Sequence, residues 1–129
     1  MIREVNSNDI LDFALKYFPN FKISDNPFEK IYAFFEEEEI IGFIASSIIY
    51  DRCEIEYFVV KEEYRGCGIA QKLLDYLISS IKGDNISLEV KCNNERAINF
   101  YLKNGFEKVS TRKNYYNGVD GYLMVKQMR

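Results

Sequence analysis

The chain has 129 residues, of which 47% are apolar and 16% aromatic, with a formal net charge of −3. That length fits one domain, and the composition predicts a packed core rather than disorder. No apolar run is long enough to span a bilayer, no basic-then-apolar leader opens the chain, and the acidic balance argues against a general nucleic-acid binder.

The chain contains no histidine. This excludes a Ser-His-Asp triad, a Cys-His nucleophile pair and histidine-based metal sites. Acid–base chemistry must then use Glu, Asp, Tyr, Lys or Cys, none of which titrates near neutrality unless its surroundings shift it. The cysteines Cys53, Cys67 and Cys92 are odd in number and form no Cys-x-x-Cys pair, which reads as a reduced, cytoplasmic protein. Charge is uneven along the chain: residues 1–63 hold 6 basic and 14 acidic side chains, and residues 64–129 hold 11 basic and 6 acidic ones. An anionic ligand on the second half and a cationic one near the first would suit that field. A single solvated turn at Glu36–Glu39 would also account for much of the first count.

Met1 to Val5 reads as a short strand. Ser7-Asn8-Asp9 supplies cap chemistry for a helix whose apolar positions are Ile10, Leu11, Phe13, Ala14 and Tyr17. Asn26-Pro27-Phe28-Glu29 resembles a cap followed by a first-turn proline, but only about one turn fits before the strand Ile31–Phe35. The run Glu36–Glu39 predicts a hairpin into a second strand, Ile40 to Tyr50. A third strand spans Cys53 to Val60, with Glu54, Glu56, Phe58 and Val60 on one face and Ile55, Tyr57 and Val59 on the other. From Ile69 the period becomes helical through Leu73, Leu74, Leu77, Ile78 and Ile81, with Gly83 as the expected C-cap. Ile86 to Lys91 is a strand, and a helix from about Asn94 to Asn104 is closed by Gly105. Phe106–Tyr116 and Tyr122–Met128 are the last strands, joined through Asn117-Gly118.

Between the strand ending at Val60 and the helix starting near Ile69 lies Glu62-Glu63-Tyr64-Arg65-Gly66-Cys67-Gly68-Ile69-Ala70. A strand, a glycine-rich turn and a helix N-terminus together make an anion site: the glycines admit the ligand to the backbone, the first helical N–H groups lack partners, and Arg65 adds a fixed cation. A plain flexible loop would carry two glycines as well. A dinucleotide fingerprint is excluded because its third glycine would be Gln71, and a Walker A loop is excluded because no Gly-Lys-Ser/Thr is present.

The wider pattern is more specific. Arg65-Gly66-Cys67-Gly68-Ile69-Ala70 resembles Arg/Gln-x-x-Gly-x-Gly/Ala, the acetyl-CoA pyrophosphate loop of the GNAT N-acetyltransferase superfamily. Val59-Val60 and Glu63-Tyr64 before it and Leu73-Leu74 after it are similar to that motif too. A second family segment follows in Asn94, Ala97, Tyr101 and Gly105-Phe106, so the resemblance runs from about Cys53 to the C-terminus. Within the superfamily, Leu88-Glu89-Val90-Lys91-x-Asn93-Asn94 with Tyr101 resembles the ribosomal-protein-alanine N-acetyltransferases. So does Arg112-Lys113-Asn114-Tyr115-Tyr116 followed by Met124.

The resemblance implies a mixed α/β fold of the acyl-CoA N-acyltransferase type: one N-acetyltransferase domain over residues 1–129, with a mostly antiparallel central sheet, helices on both faces and a shortened N-terminal helical region. It implies acetyl-CoA as acetyl donor, with CoA as product, and direct transfer to a primary amine such as a protein N-terminus. No metal, nucleic acid or membrane is implied, and the protein is expected to be a monomer or homodimer. Arg65, Gly66, Cys67, Gly68, Ile69 and Ala70 would hold the pyrophosphate. Phe58, Val59 and Val60 would meet the pantetheine, and Asn94 the cofactor.

Transfer requires the amine to lose a proton and the departing thiolate to be stabilised. By the resemblance Glu89 is the base and Tyr101 the acid. Glu89 and Lys91 alternate on one strand face, so a simple surface ion pair between them is the competing reading. Tyr101 lies at helical spacing with Ala97 and Ile98, as a core tyrosine would. Glu54 and Glu56 are rival bases, Glu56 the stronger of the two. Glu56, Tyr115 and Tyr116 are the expected substrate contacts. Only Phe18 to Lys30 is left for the segment that usually covers the acceptor site, which predicts an open groove. Two other readings stay open: transfer to a small amine or polyamine, and a CoA-binding sensor without turnover.

Overall fold

A computed structural model describes residues 1–128. In chain order the elements are β1 (Ile2–Val5), α1 (Ser7–Tyr17), β2 (Glu29–Glu36), β3 (Glu39–Ile49), β4 (Arg52–Val60), a short 3-10 turn (Glu62–Tyr64), α2 (Ile69–Ser80), β5 (Asn85–Lys91), α3 (Glu95–Lys103), β6 (Glu107–Tyr116) and β7 (Val119–Gln127). The seven strands are hydrogen-bonded in the order β1-β2-β3-β4-β5-β7-β6. β4 and β5 run parallel, while β1–β2, β2–β3, β5–β7 and β6–β7 are antiparallel. The expected mixed α/β class with a mostly antiparallel sheet is therefore observed.

Residues cluster into two compact units, one of Met1–Ile48 with Ile55–Ile81, the other of Ile49–Glu54 with the chain from Lys82 onward. In the first unit, α1 buries Ile10, Phe13 and Ala14 against Phe21, Ile31, Ala33, Phe43 and Ala45, with Tyr57 and Val59 of β4 packed on the same cluster. The alternation expected of β4 holds from Arg52 to Glu56, where Cys53 and Ile55 are buried and Glu54 and Glu56 exposed, but Tyr57, Phe58 and Val59 are all half-buried and Val60 is buried. α2 buries Ile69, Leu73, Leu74 and Leu77, the stripe its spacing predicts. In the second unit β5 buries Ile86, Leu88 and Val90 on one face, and Phe106 and Met124 are almost wholly enclosed.

Three local expectations change. The N-cap of α1 is Asn6, just before the expected Ser7-Asn8-Asp9, of which Asp9 takes part: Asn6 Oδ1 accepts from Asp9 N–H at 3.1 Å while the Asp9 carboxylate accepts from Asn6 N–H at 3.0 Å, a reciprocal capping box. Ser7 is instead buried inside the first turn, its Oγ accepting from Ser24 N–H at 2.9 Å. α2 ends at Ser80 with an extended Ile81 as C-cap, so Gly83 does not close the helix. Gly83 answers a different need, since a Cβ there would lie 2.7 Å from the Asp51 carbonyl oxygen. Finally, β7 begins at Val119, three residues before the expected Tyr122. Asn117 (φ 48°) and Gly118 (φ 93°) make a turn tight enough for pairing to start at once, Tyr116 opposite Val119.

Candidate active site

In the first unit the glycine-rich turn takes the form that its sequence predicts. Gly66 (φ 83°) and Gly68 (φ 81°) are both left-handed, and nothing lies within 4 Å of a Cβ built on either. Backbone conformation alone therefore demands glycine, and the space above the turn is open. Gly68 is the N-cap of α2 and makes no side-chain cap, and the first turn of the helix carries no acidic residue. The leading N–H groups of α2 and the exposed Arg65 thus form a cradle suited to a phosphate or pyrophosphate. Cys67 is exposed between the two glycines.

Phe58 and Val59 are half-buried and Val60 is buried at the end of β4. Their strand is held to β3 closely: a Cβ on Gly42 would lie 2.9 Å from the Val59 carbonyl oxygen, and Lys61 N–H donates to the Ile41 carbonyl at 2.8 Å. Glu56 is exposed but fixed. Ser47 Oγ donates to Glu56 Oε1 at 2.6 Å, and Asn26 Nδ2 donates to Ser47 Oγ at 3.2 Å. Glu29 pairs in register with Ser47, and burial, reinforced by the Glu56 charge, pushes its carboxyl above the ordinary value.

The second unit brings Glu89, Tyr115 and Tyr116 together. Glu89 stands opposite Leu123 on β7, and Arg112 of β6 stands opposite Gly121 on the same strand. The Glu89 side chain is 15% exposed and Arg112 Nε approaches its Oε1 at 2.8 Å. Both carboxylate oxygens are shielded from solvent, and among the described residues neither accepts a hydrogen bond of good geometry. A Cβ on Gly121 would lie 3.1 Å from Tyr116 Cε2 and 3.3 Å from both Glu89 Oε2 and Tyr115 Cδ2. The tyrosine rings meet edge to face at 4.8 Å. They are set by a bulge, with Asn114 left-handed (φ 55°) and its N–H donating to Asp120 Oδ1 at 3.0 Å. Lys91 does not pair with Glu89: its ammonium lies 5.4 Å from the Tyr116 ring centroid. Burial is the first cause, and Glu89 the second, of a raised Tyr116 phenol.

Tyr101 is the one buried residue of α3. Its ring packs against Phe100 at 5.5 Å and Phe106 at 5.4 Å, and burial pushes its phenol well above the usual value. Asn94 is the N-cap of α3, accepting from Ala97 N–H at 3.2 Å. The sequence identifies Glu89 and the tyrosine pair, but not the partner of the carboxylate or the gap at Gly121. Their signal is the alignment of β5, β7 and β6, which no local pattern encodes.

The sequence profile of the acetyltransferase (GNAT) family matches residues 4–106. A putative ribosomal protein bS18-alanine N-acetyltransferase of Bacillus subtilis is 29% identical over 108 residues, covering 80% of this chain and 72% of that protein. N-alpha-acetyltransferase 50 of Danio rerio is 40% identical over 73 residues, 51% of this chain. That match covers 44% of the zebrafish protein, so the chain spans under half the length of this curated relative. Among solved structures, Arabidopsis thaliana Naa50 in complex with the bisubstrate analogue CoA-Ac-MVNAL superposes with a TM-score of 0.77 at 26% identity, covering 98% of this chain and 99% of that one. With the profile spanning most of its length, the chain belongs to the GNAT acetyltransferase family.

Proposed function

We propose that the chain is a single acetyltransferase domain that moves acetyl from acetyl-CoA directly to the N-terminal amine of a protein or peptide. One observation carries this reading: a carboxylate shielded from solvent, Glu89 of β5, set against Arg112, Tyr115 and Tyr116 of β6 across the gap at Gly121 of β7. The family profile, over residues 4–106, extends from the first compact unit into the second, which supports treating them as one domain. The relatives named for N-terminal acetylation, and a neighbour carrying CoA linked to an acetylated peptide, support the acceptor class. An odd number of cysteines with no Cys-x-x-Cys pair agrees with a cytoplasmic setting.

Acetyl-CoA would supply an acetyl group activated as a thioester. Arg65 and the backbone N–H groups from Gly66 to Ala70 would hold its pyrophosphate, Phe58 to Val60 its pantetheine, and Asn94 a further part of the cofactor. Glu89 accepts a proton from the acceptor, directly or through one water. An α-amino group, titrating near ~8 against ~10.4 for lysine, asks less of that base. Tyr115 and Tyr116 line the acceptor, and Glu56 meets its positive charge. Tyr101, kept neutral by burial, offers its phenolic O–H to the departing sulfur and needs no counter-ion.

The test is thiol release from acetyl-CoA with peptides beginning in Ala, Ser or Met, with the same peptides N-blocked but carrying an internal Lys, and with a polyamine. Release confined to the free N-termini is the expected result. Release with the polyamine alone moves the acceptor to small amines, and tight acetyl-CoA binding without release identifies a sensor.

A further inference from the structure

Glu89 raises a problem that its neighbours on β5 do not solve. A carboxylate withdrawn from water costs free energy unless a charge or hydrogen-bond donors compensate it. Both of its oxygens are shielded and neither accepts a well-formed hydrogen bond among the described residues. What faces it is Arg112, reached diagonally across β7, with Nε 2.8 Å from Oε1. The route exists because β7 carries glycine at the crossing. Gly121 is the register partner of both Lys91 and Arg112, and the space its side chain would fill is bounded by Glu89 Oε2, Tyr115 and Tyr116 at 3.1 to 3.3 Å. Arg112 is itself steadied from the far side: its Cζ lies 5.3 Å from the Tyr115 ring centroid, a distance at which a cation is attracted to an aromatic face. Its side chain is 55% exposed, so the guanidinium stays hydrated at one end while balancing the carboxylate at the other.

We propose that Arg112 is the positioning residue of the transfer reaction, holding Glu89 in place across the gap left by Gly121. This rests on the reading of Glu89 as the base. A cation on β6, one strand beyond β7, fixes the carboxylate from across the gap, and its anchor, Tyr115, belongs to the expected acceptor contacts. Arg112 therefore ties the orientation of the base to the wall of the acceptor site. The contact is made through one nitrogen rather than a forked pair, so a lysine ammonium can replace much of it.

The test is a double-mutant cycle between E89Q and R112A, with R112K alongside, reading kcat, KM for acetyl-CoA and thermal unfolding. The expected pattern is a kcat at least about tenfold lower in R112A with KM for acetyl-CoA unchanged, and substantial recovery in R112K. In the E89Q background, removing Arg112 should change kcat by less than about twofold. The melting temperature should fall in R112A and recover in the double variant, where no buried charge is stranded. An R112A kcat equal to wild type, or an undiminished loss in the E89Q background, overturns the proposal while leaving the base intact. Wild-type kcat in E89Q alone overturns the base reading and this proposal with it, whatever the melting temperatures show.

Discussion

In the proposed transfer, the role of Tyr101 depends on its being dry. Packed between Phe100 and Phe106, its phenol is held protonated by burial, so it can present an O–H donor at any pH at which a peptide amine is acetylated. Tyr101→Phe keeps the ring packing and removes the donor. Turnover should fall ~10²-fold or more with little change in acetyl-CoA affinity; unchanged turnover in a steady-state assay would remove Tyr101 as the acid. Burial raises Glu29 as well, but there it costs stability. Its carboxyl is raised first by desolvation and then by Glu56, so the folded state holds the proton more tightly than the unfolded chain. Between the ordinary carboxylate value of 4.5 and the raised one, stability therefore falls as pH increases, and above both the penalty is constant. Glu29→Gln should melt slightly higher than wild type at pH 7, by less than ~1 kcal/mol for a group so partly buried, and equally near pH 3. A pH series of melting temperatures separates this from a simple packing effect, which would persist in acid.

Among the elements, the turn into α2 is the most legible in sequence. Two left-handed glycines flank an exposed cysteine, and a helix starts with neither a side-chain cap nor an acid in its first turn. Gly68→Ala meets no atom but must hold φ near 81°, a strain of roughly 1–2 kcal/mol. The variant should fold with a modestly lower melting temperature and bind acetyl-CoA several-fold more weakly, measured by calorimetry; unaltered affinity would detach the turn from cofactor binding. Strand faces are readable along β5 and the first half of β4, where the two-residue period survives in burial, but not from Tyr57 to Val60, where both faces are covered. Other features are not legible. The cap of α1 falls one residue before Ser7, since Asn6 and Asp9 close a reciprocal pair and nothing in composition ranks one polar residue over the next. Gly83 looks like a helix stop but serves a close approach to Asp51. The partner of Glu89 is hidden more deeply, because it depends on two strand registers and on the Asn114 bulge at once. Alternation along β5 alone suggests Lys91, which turns instead to Tyr116.

At the scale of the molecule, the acidic first half and basic second half of the sequence suit a reaction joining an anionic donor to a cationic acceptor. The profile match over residues 4–106 places the chain in the GNAT family, and what is proposed beyond that is the identity of the acceptor nitrogen. The most direct measurement offers one peptide with both a free N-terminal alanine and an internal lysine, incubated with acetyl-CoA and the protein, and locates the acetyl group by fragment mass spectrometry. Acetyl is expected on the α-nitrogen, with the lysine unmodified and the product lost in E89Q. Acetyl on the lysine side chain, or none on the peptide while a polyamine is acetylated, would contradict it.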